Sequence, residues 1–163
     1  MMLPMKLSKA DVRMAKHPDE DALFAFIWSA DEEMPFGLRD EVKVRDMVKL
    51  SCATPQEFSI SQPRFGIVRG DRGIEAAIGL IANQWWWTHD YCLHQFFFQV
   101  HPGFRDRGHG ARLMRFAKWF ADSMGMPVRF EILGETKGSK TSLFERHSDP
   151  SGASFFYGMR KTA

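Results

Sequence analysis

The stretch that most constrains this chain is Phe96–Gly110, FFFQVHPGFRDRGHG, an apolar run ending in a glycine- and arginine-bearing turn that opens into the amphipathic run Ala111–Met124. Such a run reads as a helix with a single apolar stripe. Leu113, Ala117, Phe120 and Met124 form that stripe, and Arg112, Arg115, Lys118 and Asp122 lie off it. The pattern predicts a helix over Gly108–Met124, capped by Gly125 and stopped by Pro127. The apolar run Val128–Leu133 is then expected to lie parallel to the strand Tyr91–Val100, because a helix supplies the crossover.

The turn also has a chemical character. The first N–H groups of a helix lack partners within it and the helix dipole is positive there, so an anion is stabilised at that end. Gly108 and Gly110 let a ligand approach the backbone, and Arg105 and Arg107 add charge. The bland alternative is a tight turn with solvated arginines.

Upstream, Val12–Ala15 reads as a short strand, Asp19–Ser29 as a helix and Asp40–Cys52 as a second, amphipathic helix with Val44, Met47 and Val48 on one side. Arg64–Arg69 and Ile74–Ile81 form a hairpin around Gly70-Asp-Arg-Gly73, and a second hairpin joins Ile74–Trp87 to Tyr91–Val100 near Thr88-His89-Asp90. A short helix at Thr141–His147 and a last strand at Ala153–Met159 complete the order β-α-α-β-β-β-α-β-α-β. The fold class is α/β in the α+β sense: a mixed, mostly antiparallel central sheet flanked by helices.

At 163 residues, 44% of them hydrophobic and 26% charged, the chain reads as one ordered domain over 1–163. A net charge of +2 argues against a dedicated nucleic-acid coat. Cys52 and Cys92 lie far apart without a C-x-x-C neighbour, so both read as buried thiols and no metal is expected. No apolar run approaches the roughly 20 residues of a membrane span, and the N-terminal residues lack a signal-peptide core, which predicts a cytoplasmic protein.

Val100-His-Pro-Gly-Phe-Arg105-Asp-Arg-Gly108-His-Gly110, with a strand before it and a helix after it, resembles the acyl-coenzyme A signature of the GNAT superfamily of N-acyltransferases. The resemblance implies a GNAT-like fold from about Val12 to Met159, acetyl-CoA as co-substrate, and direct attack by a primary amine in a ternary complex. It also implies that the main chain of Phe98, Gln99 and Val100 meets the pantetheine arm, and that Arg105, Asp106, Arg107, Gly108, His109, Gly110 and Ala111 surround the pyrophosphate. A splayed strand admits the pantetheine in that fold, and the backbone N–H of Phe98 would polarise the thioester carbonyl.

By the same resemblance, His94 falls where histone-acetylating members carry their general-base glutamate. An imidazole, with an unperturbed pKa of ~6.5, suits that task; the plain alternative is a half-buried structural histidine. Gln95 faces the other side of the strand. Asp31, Glu32 and Glu33 would attract a cationic amine or simply be solvated. Many members place a proton-donating Tyr in the context L-Y-E, where this chain has Leu143-Phe144-Glu145. Water, Ser142 or Tyr157 would then protonate the leaving thiolate, or it would leave unassisted.

Trp85-Trp86-Trp87 at a strand end suggests a substrate wall or a homodimer contact, with core packing as the plainer reading, and strand alternation sets Trp86 opposite its neighbours. Gly134–Thr141, GETKGSKT, fails as a Walker A loop on its spacing. Two other functions compete. One is an inactive coenzyme-A-binding relative, suggested by Phe144. The other is a nucleic-acid module stacking bases on Phe96, Phe97 and Phe98, which the missing RNP spacing opposes and which alternation of the three rings between faces also opposes.

Overall fold

The computed structural model describes residues 12–30, 39–54, 61–131 and 139–147. Its sheet has five strands in the order β1 to β5: β1 Arg13–Met14, β2 Arg64–Gly70, β3 Gly73–Gln84, β4 Tyr91–Val100 and β5 Val128–Arg129. All pairs are antiparallel except β4 with β5, which is parallel as the helical crossover requires. Helices α1 (Glu20–Trp28) and α2 (Glu41–Ser51) cover one face, and α3 (His109–Met124) and α4 (Ser139–His147) the other. The expected strand Ala153–Met159 lies outside the described residues. No helix among the described residues is long and apolar enough to cross a membrane.

Both faces of the sheet are buried, so β3 and β4 are apolar almost throughout. On β3, Ala76, Ile78 and Leu80 join the cluster under α3, while Ala77 joins Phe65 and Ile67 under α1 and α2. Helix α3 buries Leu113, Met114, Phe116 and Phe120. At about 2 kcal/mol for each such side chain, docking rather than helix propensity holds it in place. The Phe116 ring lies against Gly66 of β2 so closely that a Cβ there would collide with it. At the far end Gly125 adopts φ 64°, and Met126 N–H donates to the Ala121 carbonyl at 3.0 Å, closing the helix in a Schellman turn. At the other edge, Asp19 is buried and accepts from Arg13 and Arg69, tying β1 and β2 to the start of α1.

The structure corrects two expectations. Gly79 pairs with Phe97 but Leu80 pairs with Gln95, so Phe96 is an extra residue, a β-bulge. Phe96 and Phe97 therefore both pack on Phe65, and Phe98 alone points toward α3. The three rings do not alternate. Second, β3 ends at Gln84, three residues short of the expected Trp87, so the tryptophans form the turn itself. Trp85 and Trp87 stack at 4.8 Å, while Trp86 and Trp87 are 91% and 61% exposed, which rules out core packing for those two.

Candidate functional site

After β4 the chain makes a 3-10 turn, Pro102–Arg107, then passes through Gly108 in the left-handed conformation at φ 72° and enters α3. A residue with a Cβ would lose about 1–2 kcal/mol at such a φ. Among the described residues, nothing beyond the neighbouring chain lies within 4 Å of where that Cβ would stand. Around this junction is a cavity of about 340 Å3, lined by Phe98, Gln99 and Val100 of β4, by Arg105, Gly108, Gly110 and Ala111, and by Lys140, Leu143, Arg146 and His147 of α4.

Seven of the expected coenzyme-contacting residues thus share one cavity. Asp106 and Arg107 stand outside its lining, with the Arg107 guanidinium over the Phe104 ring at 4.8 Å. His109 turns its side chain inward: it is 3% exposed, with Nε2 2.7 Å from Glu75 Oε2. The α4 wall was not anticipated. Its spacing, 140, 143, 146 and 147, is one helical face, but α4 starts at Ser139 rather than at the expected Thr141, which brings Lys140 into the helix. The wall is cationic, and α3 brings two more cations near its histidine. Burial, then Lys118, Arg115 and Arg146, push His147 below the ordinary value of 6.5.

β4 and β5 stay paired only at Leu93 with Val128 and His94 with Arg129 among the described residues. The expected strand Val128–Leu133 therefore ends its pairing early, because Phe130 turns into the core under α3. Gln95 sits at the point of divergence, 2% exposed, its Oε1 accepting from Glu131 N–H at 3.0 Å. On the opposite face of β4, His94 Nε2 lies 2.9 Å from Glu131 Oε2, an ion-pair distance without hydrogen-bond alignment. Glu131 also meets Arg129 Nη2 at 2.5 Å, and the Arg129 guanidinium lies 4.8 Å from the Trp85 ring centroid. Sequence reading singled out His94 but missed Glu131 and Arg129, which reach it only through the parallel pairing.

Phe144 is fully buried, its ring 5.1 Å from Phe98 and 5.3 Å from Phe130. One turn earlier on α4, Lys140 Nζ stands 5.9 Å from the Phe98 ring. Tyr157 and the acidic residues Asp31, Glu32 and Glu33 lie outside the described residues. A second hollow, of about 720 Å3, lies between β1 and the end of α2, lined by Met14, Ala15, Pro18, Cys52 and others. Burial, then the charges of Glu20 and Asp19, push the Cys52 thiol up to about 12, so it is not a nucleophile near neutral pH. Arg64 there is engaged with the Ser51 and Ala53 carbonyls.

Neither a protein-family model nor a curated protein matches this chain. Solved structures do. An integron cassette protein from the mobile metagenome of Cole Harbour Salt Marsh is similar at TM-score 0.67 and 18% identity, over 99% of this chain and 97% of its own. A possible acetyltransferase from Clostridium difficile 630 is similar at TM-score 0.64 and 14% identity, over 94% and 96%. A GNAT family acetyltransferase of Staphylococcus aureus is similar at TM-score 0.57 and 15% identity, over 78% and 89%. The chain has the GNAT fold. Within that fold, the splay of β4 from β5 and the glycine turn at the head of α3 lie at the two ends of one strand segment, residues 94–100, so an extended ligand along β4 would reach both.

Proposed function

We propose that this GNAT-fold chain is an N-acetyltransferase that moves an acetyl group from acetyl-CoA to a primary amine by direct attack in a ternary complex. The observation that carries this reading is the cavity in which Phe98–Val100, Arg105, Gly108 and Gly110 come together. Its size suits part of a drug-sized ligand, and its features suit a phosphorylated one: the first N–H groups of α3, an arginine and an open glycine backbone.

In this reading the backbone at Phe98 donates to the thioester carbonyl, and β4 beyond its last described pair with β5, at His94, runs along the pantetheine arm. The amine nitrogen bonds to the carbonyl carbon, the carbon–sulfur bond breaks, and the ammonium proton passes to His94 directly or through water. Glu131, held by Arg129 and by its main-chain bond to Gln95, steadies the imidazole. Phe144 has no proton to give, so the thiolate takes one from water or from the Lys140 ammonium. A thiol with a pKa of ~8.5 is a tolerable leaving group in either case.

A thiol-release assay with acetyl-CoA across small amines, aminoglycoside-like compounds, peptide N-termini, protein lysines and modified nucleobases tests the proposal. Release stimulated by one amine class supports it. Tight acetyl-CoA binding with no release for any class favours the inactive relative, the reading that Phe144 supports. Salt-dependent oligonucleotide binding without acetyl-CoA binding would favour a nucleic-acid module. In the same assay, slower release from Lys140→Met at saturating acetyl-CoA supports Lys140 as the proton donor, and unchanged release removes it from that role in favour of water, Ser142 or Tyr157.

A further inference from the structure

We infer that Glu75, a β3 residue outside the cavity, is a positioning residue that clasps both ends of the anion-holding loop and sets its shape for acetyl-CoA; this rests on the coenzyme reading above. The loop leaves β4 at His101 and enters α3 at His109. At its start, His101 N–H donates to the Glu75 carbonyl at 2.8 Å. At its end, His109 Nε2 lies 2.7 Å from Glu75 Oε2. One residue therefore fixes both feet of the loop that carries Arg105 and Gly108.

Both side chains of the second contact are withdrawn from solvent, His109 at 4% and Glu75 at 13% exposure. A charge-assisted contact in such a place is stronger than one at the surface. His109 Nδ1 is buried with no hydrogen-bond partner among the described residues, so the ring is anchored through Nε2. Its backbone stands at the first position of α3, between Gly108 and Gly110 of the cavity lining. Gly70, across the β2–β3 turn, gives the carboxylate its room: a Cβ there would run into the Glu75 side chain. Phe104 packs between His101 and His109, with ring centroids at 5.4 and 6.4 Å, which fills the inside of the loop with aromatic surface. Within the loop, Gly103 N–H donates to His101 Nδ1 at 3.1 Å and Phe104 N–H donates to the His101 carbonyl at 2.8 Å, and both bonds shape the turn.

The clasp acts on loop order before any ligand arrives, and two readouts separate that from the coenzyme reading. In the unliganded protein, Glu75→Ala should speed amide exchange across residues 102–110 about tenfold while residues 113–121 of α3 keep their protection. In calorimetry, acetyl-CoA should bind Glu75→Ala about tenfold more weakly, the order expected for losing one charge-assisted contact. KM for acetyl-CoA should rise in step, with kcat at saturation within about twofold of wild type. Glu75→Gln, whose amide oxygen still accepts from the ring, should recover most of both effects. Gly70→Ala, which presses on the carboxylate and leaves both partners in place, should show the same pattern more weakly and serves if Glu75→Ala does not fold. Unchanged exchange in the loop, a glutamine as damaging as alanine, or a loss of kcat without a change in affinity would each overturn the assignment. If wild type itself fails to bind acetyl-CoA, the coenzyme reading falls and takes the ligand-directed half of the inference with it, while the exchange comparison still decides the clasp.

Discussion

The two ends of β4 are built in opposite ways. At its C-terminal end, Phe98 to Ala111 run continuously in the sequence, and the features that shape the cavity are main-chain ones: a strand edge, a left-handed glycine and the head of a helix. Near its middle, His94 is met by Glu131 and Arg129 from beyond α3 and, through Arg129, by Trp85 from the turn before β4. The first end is shaped mostly by backbone geometry, with the Glu75–His109 contact behind its loop. The second depends on side chains brought together by strand pairing and left about one-fifth exposed. In the proposed reading, binding and chemistry are encoded separately along one strand, and substitutions should separate them.

The largest effect should come from the glycine end. Arg105→Ala combined with Gly110→Val removes a cation from the cavity and drives a branched side chain toward Leu143, whose Cδ2 would lie 2.7 Å from the new Cβ. Acetyl-CoA affinity by calorimetry should fall about 100-fold or more, since a charge-assisted phosphate contact and the space for the ligand are lost together. Retained affinity would break the comparison at its root, because the backbone end would then not be the coenzyme end. His94→Ala should do the reverse. Acetyl-CoA should bind within about twofold of wild type, while kcat falls about 100-fold, the lower range for loss of a general base. A base works deprotonated, so the wild-type rate should climb with rising pH to a plateau, and that limb should be missing in the variant. An unaltered pH–rate profile excludes His94 and leaves the His94–Glu131 contact as a structural one.

What the sequence disclosed follows the same division. The order of elements through α4, the parallel β4–β5 pair and the glycine cap of α3 all rest on local signals: a period of 3.6, a turn residue, a crossover rule. Phe98, Gln99, Val100, Arg105, Gly108, Gly110 and Ala111 could be named together through the family resemblance that this contiguous motif carries. Three features were not legible. The bulge at Phe96 arises from how β4 lies across Gly79, where Phe96 and Phe65 crowd the glycine's bare Cα, and no composition rule marks it. Glu131 and Glu75 are ordinary acidic residues until the fold sets each one against a histidine 37 or 34 positions away in the chain. The tryptophans look like strand residues by propensity, yet the ladder stops at Gln84 and they form a turn, two of them with exposed rings. Tertiary position decided each case.

The smallest predicted effect sharpens the coenzyme end alone. His147 on α4 is held below its ordinary value because burial disfavours the imidazolium and because Lys118, Arg115 and Arg146 repel it. An anionic ligand in the cavity would reverse that balance, favour the charged ring and raise its pKa in the complex. Between the depressed value of the free protein and the raised value of the complex, acetyl-CoA binding should therefore take up a fraction of a proton, and affinity should decline as pH rises through that window. Calorimetry in buffers of different ionisation enthalpy measures the uptake as a slope. His147→Asn should bring that slope close to zero and weaken binding only about threefold, the size of one partly screened charge contact. A wild-type slope already at zero would mean that no phosphate approaches α4, and the coenzyme would then follow the α3 side of the cavity without touching the cationic wall.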